Sequence, residues 1–322
     1  MVEKVQSHWP NLFFLILLIW TSINYNNLNI ISFNMNKKGV EVTFNWIFVV
    51  IAGSILLMFF VYFGWKQIGL FNTIGINEVV DNINNQIDSL SIGLSLNKVV
   101  TLPNDIVFQF KCGNILYKTE NKDTHNLIYG EGNFKDKFNL WTRAWIFPFK
   151  IDNLYYASNV EKRFFILGNE NLFFNLPDKF RKFNSLSQVN KDDVIIDFTN
   201  SNYQNTYKEN KVLVVDKDKN TITFYPGKQK EEFYGEEILI GAMFTNYEDY
   251  KCLKTKSLNK LGLISDLYKK KAELLKINSK CSFQYNELEK TLDLFKKDPL
   301  RYKNAIIEQN DQIKRDGCVN VF

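Results

Sequence analysis

Histidine is scarce in this chain of 322 residues, which contains only two. His125 is the one that lies beyond residue 66, in the polar stretch TENKDTHN. A Ser/His/Asp or Cys/His catalytic site in that part of the chain would have to use it. Nothing near His125 resembles a nucleophile elbow, and the composition of the stretch favours an exposed loop. The chain also has no P-loop and no dinucleotide fingerprint. These absences argue against triad hydrolases and nucleotide-dependent enzymes.

Cysteine is also rare, and its four positions are Cys112, Cys252, Cys281 and Cys318. No two are close enough in sequence for a CxxC redox or zinc motif. An even number confined to residues beyond 66 predicts two disulfides, with free buried thiols as the alternative. We expect Cys252–Cys281 to join the two ends of a helix and its return, and Cys112–Cys318 to tie the C-terminal tail to a β-rich domain.

One segment begins like a calcium-binding loop. Asp216, Asp218 and Asn220 have the D-x-D-x-N spacing, but the sixth position is Thr221 instead of glycine and the twelfth is Gly227 instead of glutamate. Both departures remove features that the calcium loop requires. The segment VLVVDKDKNTITFY therefore predicts a hairpin turn.

Carboxylates remain the one familiar route to catalysis. The candidates for a glycoside-hydrolysing pair are Asp192, Asp193, Asp197, Glu236 and Glu237. Spacing in sequence does not give the separation in space on which such a mechanism depends. We therefore predict no catalytic, cofactor-binding or metal-binding residues and no cofactor, with a carboxylate hydrolase as the alternative.

The longest apolar run extends from Phe44 to Phe63, twenty residues without a charge. That is the length a helix needs to cross a hydrocarbon core of about 30 Å. Trp46 and Trp65 stand near its ends, roughly 28 Å apart along a helix, as the two aromatic belts of a bilayer require. The run predicts a transmembrane anchor with Phe44, Trp46, Phe63 and Trp65 near its ends.

The basic residues around this run set its expected orientation. Lys37 and Lys38 lie immediately before it, whereas after Lys66 no Lys or Arg follows until Lys98. The positive-inside bias keeps Lys37 and Lys38 in the cytoplasm and predicts a cell-membrane protein with its large C-terminal domain outside.

A shorter apolar run, residues 12–20, precedes the anchor and fades into asparagine-rich sequence. Its length suits a signal h-region or an interfacial segment better than a span. Residues 1–34 are either translated or an upstream extension from a mis-assigned start, because Met35 begins MNKKGV.

The pattern along the chain predicts an α+β protein with five parts: an apolar extension (1–34), a signal-anchor transmembrane helix (35–66), an amphipathic stalk helix (67–96), a β-rich extracellular domain (97–250) and a helical C-terminal module (251–322). Gly69 and Gly75 are expected bends between the anchor and the stalk. Candidate strands include Arg163–Leu167, Lys211–Val215, Thr221–Tyr225 and Ile238–Gly241. Asp298, Pro299 and Gly317 have the pattern of the N-cap, first turn and end of a helix.

The segment MNKKGVEVTFNWIFVVIAG resembles archaeal class III, pilin-like signal segments through Lys37, Lys38 and Gly39. That family carries glutamate five residues after its processing glycine, where this chain has Phe44, and Glu41 comes too early. Most of residues 35–322 also resembles uncharacterised single-span membrane proteins of small-genome archaea, through this start, tracts like residues 145–167 and 235–252, and a Gly-Cys end. The resemblance implies an architecture and no assigned activity.

The function expected from these features is a membrane-anchored cell-surface protein with a structural or recognition role, in one form as an accessory of a pilus-like assembly. The alternative is a membrane-tethered hydrolase that acts on envelope polymers. Residues 250–322 carry 16 Lys or Arg against 9 Asp or Glu, which indicates either lysine-solvated helix faces or an anionic partner. The expected partners are the lipid bilayer and other envelope proteins or an anionic surface polymer, with nucleic acid disfavoured.

Overall fold

The computed structural model describes residues 37–91, 95–102, 106–118, 120–186, 188–199, 201, 203–277 and 280–322. The predicted extension 1–34 lies outside these residues. The chain divides into two compact units, Met1–Leu70 and Phe71–Phe322. The protein is a mixed α+β chain with an apolar N-terminal helix, a β-rich body and C-terminal helices.

Helix α1 covers Lys37–Ser91. Within it, Phe48–Lys66 is the one helical stretch of the described residues that is long and apolar enough to cross a membrane. Its side chains are exposed, including Phe63 at 49% and Trp65 at 55%, which is the pattern of a helix whose apolar surface needs a covering outside the protein. The side chains of Lys37, Lys38, Phe44 and Trp46 lie outside the described part, so the orientation remains a prediction.

The C-terminal part of α1 packs on the β-rich body. Ile83 and Ile87 are buried, and Val80 packs beside them against a cluster that includes Phe108 and Phe138. This confirms the amphipathic stripe expected before residue 96. The chain stays helical through Gly69 and Gly75, where the sequence predicts bends.

Fourteen strands are found among the described residues: β1 (Ser95–Thr101), β2 (Phe108–Lys111), β3 (Asn114–Tyr117), β4 (Glu120–Lys122), β5 (Leu127–Gly130), β6 (Asn133–Phe134), β7 (Lys137–Ile146), β8 (Lys150–Asn159), β9 (Arg163–Leu167), β10 (Arg181–Phe183), β11 (Val194–Asp197), β12 (Lys211–Asp216), β13 (Thr221–Tyr225) and β14 (Gln229–Glu232). They form three sheets, in the orders β1-β7-β8-β5, β4-β3-β2-β6 and β10-β9-β11-β12-β13-β14. In the six-stranded sheet, β10, β9, β11 and β12 are parallel to one another. β13 pairs antiparallel with β12 on one side and with β14 on the other.

Two short helices, α2 (Glu170–Asn175) and α3 (Tyr203–Thr206), interrupt the strands, and four follow them: α4 (Glu236–Phe244), α5 (Tyr247–Lys276), α6 (Ser282–Lys297) and α7 (Pro299–Arg315). Helix α6 packs against both α5 and α7. The predicted start of α7 is confirmed, because the Asp298 side chain accepts a hydrogen bond from the Arg301 amide at 3.2 Å and Pro299 opens the helix. Gly317 follows its end with a φ of +70°.

The predicted strand Ile238–Gly241 is wrong, since these residues lie in α4. All seven residues from Ile238 to Phe244 are buried. A helix without a polar face loses the 3.6-residue periodicity that identifies helices, and a short apolar run of this kind reads equally well as a buried strand.

The aromatic tract between Trp141 and Tyr156 forms core. Trp141, Trp145 and Tyr156 are fully buried in the cluster that also holds α4 and the inner face of the six-stranded sheet. The Trp145 indole donates to the Tyr234 carbonyl at 2.8 Å, and the Tyr156 hydroxyl donates to the Glu237 carbonyl at 2.9 Å. The Trp145 indole and the Tyr156 hydroxyl thus both have hydrogen-bond partners, as the polar groups of buried Trp and Tyr side chains usually do.

The expected cysteine residues form two disulfides, but the expected pairing is wrong. The structure pairs Cys112 with Cys252 and Cys281 with Cys318, at Cα separations of 5.6 and 6.3 Å. Cys252 lies near the start of a 30-residue helix and Cys281 lies beyond its end. That helix is roughly 45 Å long, and only residues 277–280 separate its end from Cys281, so Cys281 cannot reach back to Cys252 near the start of the helix. The tail after α7 returns to Cys281 instead.

The Cys112–Cys252 bridge fastens a hairpin turn to α5. Cys112 and Gly113 join β2 to β3 and have φ values of +50° and +80°, the signs that a type I′ turn requires. The Cys112 amide donates to the Asp249 carboxylate at 2.8 Å, and the Lys256 ammonium donates to the Cys112 carbonyl at 3.0 Å. Three kinds of contact thus hold the small sheet against the helix.

Candidate functional site

A groove of about 710 Å³ opens where the parallel strands of the six-stranded sheet begin. Its lining is dominated by charge. The carboxylates are Glu131, Glu161, Asp192, Asp193 and Glu209. The cations are Lys162, Arg163, Arg181, Lys191 and Lys211. Its volume falls in the range of about 300–1,000 Å³ typical of small-ligand sites, and we take it as the candidate functional site.

The floor of the groove is built around Lys211, the first residue of β12. Its ammonium donates to the Glu131 carboxylate at 2.8 Å, to the Met243 carbonyl at 3.4 Å and to the Thr245 carbonyl. These two carbonyls lie at the C-terminus of α4, where a helix leaves acceptors unsatisfied and carries partial negative charge. Lys211 therefore caps α4 and links it to the residue that follows β5.

A second lysine, Lys162, shares the same carboxylate. Its ammonium lies 3.5 Å from the Glu131 carboxylate, the longer of the two contacts. Burial of the ammonium lowers the pKa of Lys211 to about 8, and Glu131 offsets only part of that effect. Burial alone raises the pKa of Glu131, but the ammonium groups of Lys211 and Lys162 outweigh it and lower that pKa to about 2. Glu131 is thus an anion at any physiological pH.

A guanidinium–carboxylate pair forms the wall beside this floor. Arg163, the first residue of β9, donates from Nε and Nη2 to the two oxygens of Asp193, at 2.9 and 2.5 Å. Asp193 also accepts the Asn190 amide at 2.5 Å. The Asn210 side chain donates to the Asn190 carbonyl at 2.5 Å. These bonds fix the chain on the approaches to β11 and β12.

The carboxylates that the sequence nominates for hydrolysis separate into three places. Asp192 and Asp193 line the groove. Asp197, at the opposite end of β11, is buried and accepts the Thr199 amide at 2.7 Å. Glu236 and Glu237 open α4, where Arg143 reaches their carboxylates at 2.9 and 3.2 Å.

A carboxylate hydrolase needs one group protonated as the acid and one ionised as the base or nucleophile. Burial raises the pKa of Glu237, but Glu237 does not line the groove. Within the groove, Glu131 is held ionised, and Asp193 is engaged by Arg163. Glu131 therefore lacks the protonated state that the acid of such a pair requires.

The other predicted candidates have local roles. The His125 side chain is 88% exposed and lies 3.2 Å from Asp123, which confirms the exposed loop. Asp216 accepts the Lys219 amide at 3.1 Å in the turn between β12 and β13, which confirms the hairpin. Among the described residues, no group of three His, Cys, Asp or Glu side chains is arranged to hold a metal ion.

Apart from Asp192 and Asp193, sequence reasoning missed the groove residues, although two signals were present. The predicted strands at 163–167 and 211–215 each begin with a basic residue, Arg163 and Lys211. Their meeting depends on parallel pairing of β9, β11 and β12, which joins segments distant in sequence and has no local mark. No protein-family model, curated protein or solved structure matches this chain, so its function has to be argued from these residues.

Proposed function

We propose that the protein is a membrane-anchored cell-surface protein with a recognition role, and that the groove is its ligand-binding site. The observation that carries the proposal is the exposed helix Phe48–Lys66 on a chain whose C-terminal unit contains two disulfides. An apolar helix of 19 residues without buried side chains has a hydrocarbon core as its natural surroundings. Disulfides persist in oxidising compartments and are rare in the cytosol.

The order of the two features supports the outward placement of the C-terminal unit. Both bridges lie after the apolar helix in the chain, and the Lys37–Lys38 pair lies before it. The positive-inside bias and the redox argument are independent, and both support a position outside the cell for residues beyond 66. A role as an accessory of a pilus-like assembly rests on the resemblance of the N-terminal segment alone and remains a prediction.

The test is surface labelling of intact cells with a membrane-impermeant amine reagent, followed by disruption and carbonate extraction. We expect labelling of exposed lysines such as Lys314 in intact cells, and retention of the protein in the carbonate-washed membrane. As a matched variant, Leu57→Lys with Val61→Lys places two charges within the helix, and we expect it to leave the membrane fraction. Full protection from the reagent until the cells are broken, or release of the unaltered chain by carbonate, contradicts the proposal.

A further inference from the structure

The groove lining has five cations and five carboxylates in all, but on one side two lysines share a single carboxylate. Lys162 and Lys211 share the single carboxylate of Glu131, at 3.5 and 2.8 Å. Lys211 completes its bonding with two carbonyls at the end of α4, whereas Glu131 is the acceptor that the described residues give Lys162. Lys162 therefore keeps unused donors that face the groove.

Two arginines continue this positive side. Arg163 and Arg181 are register partners on the adjacent parallel strands β9 and β10, and like charges directly opposite one another destabilise a sheet. Arg163 is matched by buried Asp193. Arg181 is matched by Glu161 at 2.6 Å, but the Glu161 side chain is 79% exposed. That rim carboxylate is the easiest of the groove anions for a ligand to replace.

The remaining lining is mostly polar. Asn159, Asn190 and the exposed ion pair of Lys191 with Glu209 present both hydrogen-bond donors and acceptors, whereas the exposed Asp192 carboxylate offers acceptors only. Among the described residues, the lining contains no aromatic side chain, so it offers no surface on which a nucleobase or an aromatic peptide side chain would stack. Hydroxyl groups, which both donate and accept, match such a mixed surface.

We propose that the groove binds an acidic saccharide, with the carboxylate of the sugar against Lys162 and Arg181 and its hydroxyls along the polar lining. This assignment rests on the proposed recognition role and specifies its ligand class. The anionic group supplies the charge missing beside Lys162 and displaces Glu161 from Arg181. The volume of about 710 Å³ accommodates an oligosaccharide segment rather than a single small ion.

The test is calorimetric titration of the full chain in detergent micelles with trigalacturonic acid, its uncharged methyl ester and inorganic phosphate. We expect the acid to bind at least tenfold more tightly than either the ester or phosphate. Lys162→Ala and Arg181→Ala should each weaken binding of the acid at least tenfold, because each removes a charge-assisted hydrogen bond. Glu161→Gln should strengthen binding, since it frees Arg181, and Lys314→Ala, an exposed lysine of α7 outside the groove, should leave it unchanged.

Any of four outcomes overturns the proposal. The acid and its ester bind equally, phosphate binds as tightly as the trisaccharide, no probe binds, or Lys162→Ala and Glu161→Gln leave the affinity for the acid unchanged. Unfolding of a variant does not hide the answer, because Glu161→Gln alters an exposed rim residue and predicts a gain. The surface-labelling result does not depend on the groove, so the failure of one proposal is distinguishable from that of the other.

Discussion

Removing the Cys112–Cys252 disulfide is expected to destabilise the protein more than removing Cys281–Cys318. The two bridges close chain segments with sequence separations of 140 and 37 residues. In the chain-entropy model, a cross-link stabilises by restricting the unfolded chain, and loops of these lengths correspond to about 5 and about 4 kcal/mol. The native contacts of Asp249 and Lys256 with Cys112 remain after the bridge is removed, so the difference originates mainly in the unfolded state.

The two double variants, Cys112→Ser with Cys252→Ser and Cys281→Ser with Cys318→Ser, keep an even number of cysteines and avoid mispairing. Urea unfolding of each full chain in detergent, followed by fluorescence, reports on the fully buried Trp141 and Trp145. Both variants should lose several kcal/mol of unfolding free energy, with the larger loss in the first. Peptide mapping without reductant should recover the same two pairs. A loss below about 1 kcal/mol for the first variant, or the reverse order of losses, refutes the loop-closure reasoning.

Three further predictions concern packing, charge and capping. Gly241→Ala should lower the free energy of unfolding by roughly 1–3 kcal/mol or more, because the new Cβ would lie 2.4 Å from ring atoms of Tyr129. The control is Gly262→Ala, whose new Cβ has its nearest contact at 3.8 Å and which should be neutral or stabilising. Thermal melts of both variants measure the difference. Glu131→Gln should destabilise the protein near neutral pH and lose its effect in acid. The pKa of Glu131 in the folded protein is about 2, below the ordinary 4.5, so its stabilising effect is complete above pH 4.5 and is lost as pH falls through 2. Urea midpoints of both chains at pH 6, 4 and 3 check this, and a constant difference between the midpoints contradicts it. Asp298→Ala should cost about 1 kcal/mol by removing the N-cap of α7, and a urea midpoint equal to that of the unaltered chain would show that the cap contributes nothing.

Elements with local signatures were predictable from the sequence. The strands at 163–167 and 221–225 and the capped start of α7 at Asp298 are marked by neighbouring residues. The apolar stripe through Ile83 and Ile87 is likewise a local pattern. In each case the physical cause, side-chain alternation or an unsatisfied helix end, operates within a few residues.

Elements defined by distant partners were not predictable. α4 reads as a strand because its neighbours bury it on every side. The disulfide pairing depends on where the tail after α7 lies relative to Cys281. The groove depends on Arg163 and Lys211 beginning strands of one parallel sheet. A single sequence contains the residues of such a site but does not show that they lie together in the fold.

Some charged side chains near the groove stabilise the fold, and others remain available to a ligand. Contact with an end of α4 distinguishes the two groups. This helix has nine residues, of which seven are buried, so only its ends provide polar contacts. Arg143 contacts Glu236 and Glu237 at its N-terminus, and Lys211 caps its C-terminus, an arrangement of charge that complements the helix dipole. Lys211 is therefore a structural cation despite its lowered pKa, and its replacement would disturb α4 whether or not the groove binds anything. Lys162 shares Glu131 with Lys211 but, among the described residues, its ammonium makes no hydrogen bond or ion pair to α4. Its replacement therefore tests binding without removing a helix cap.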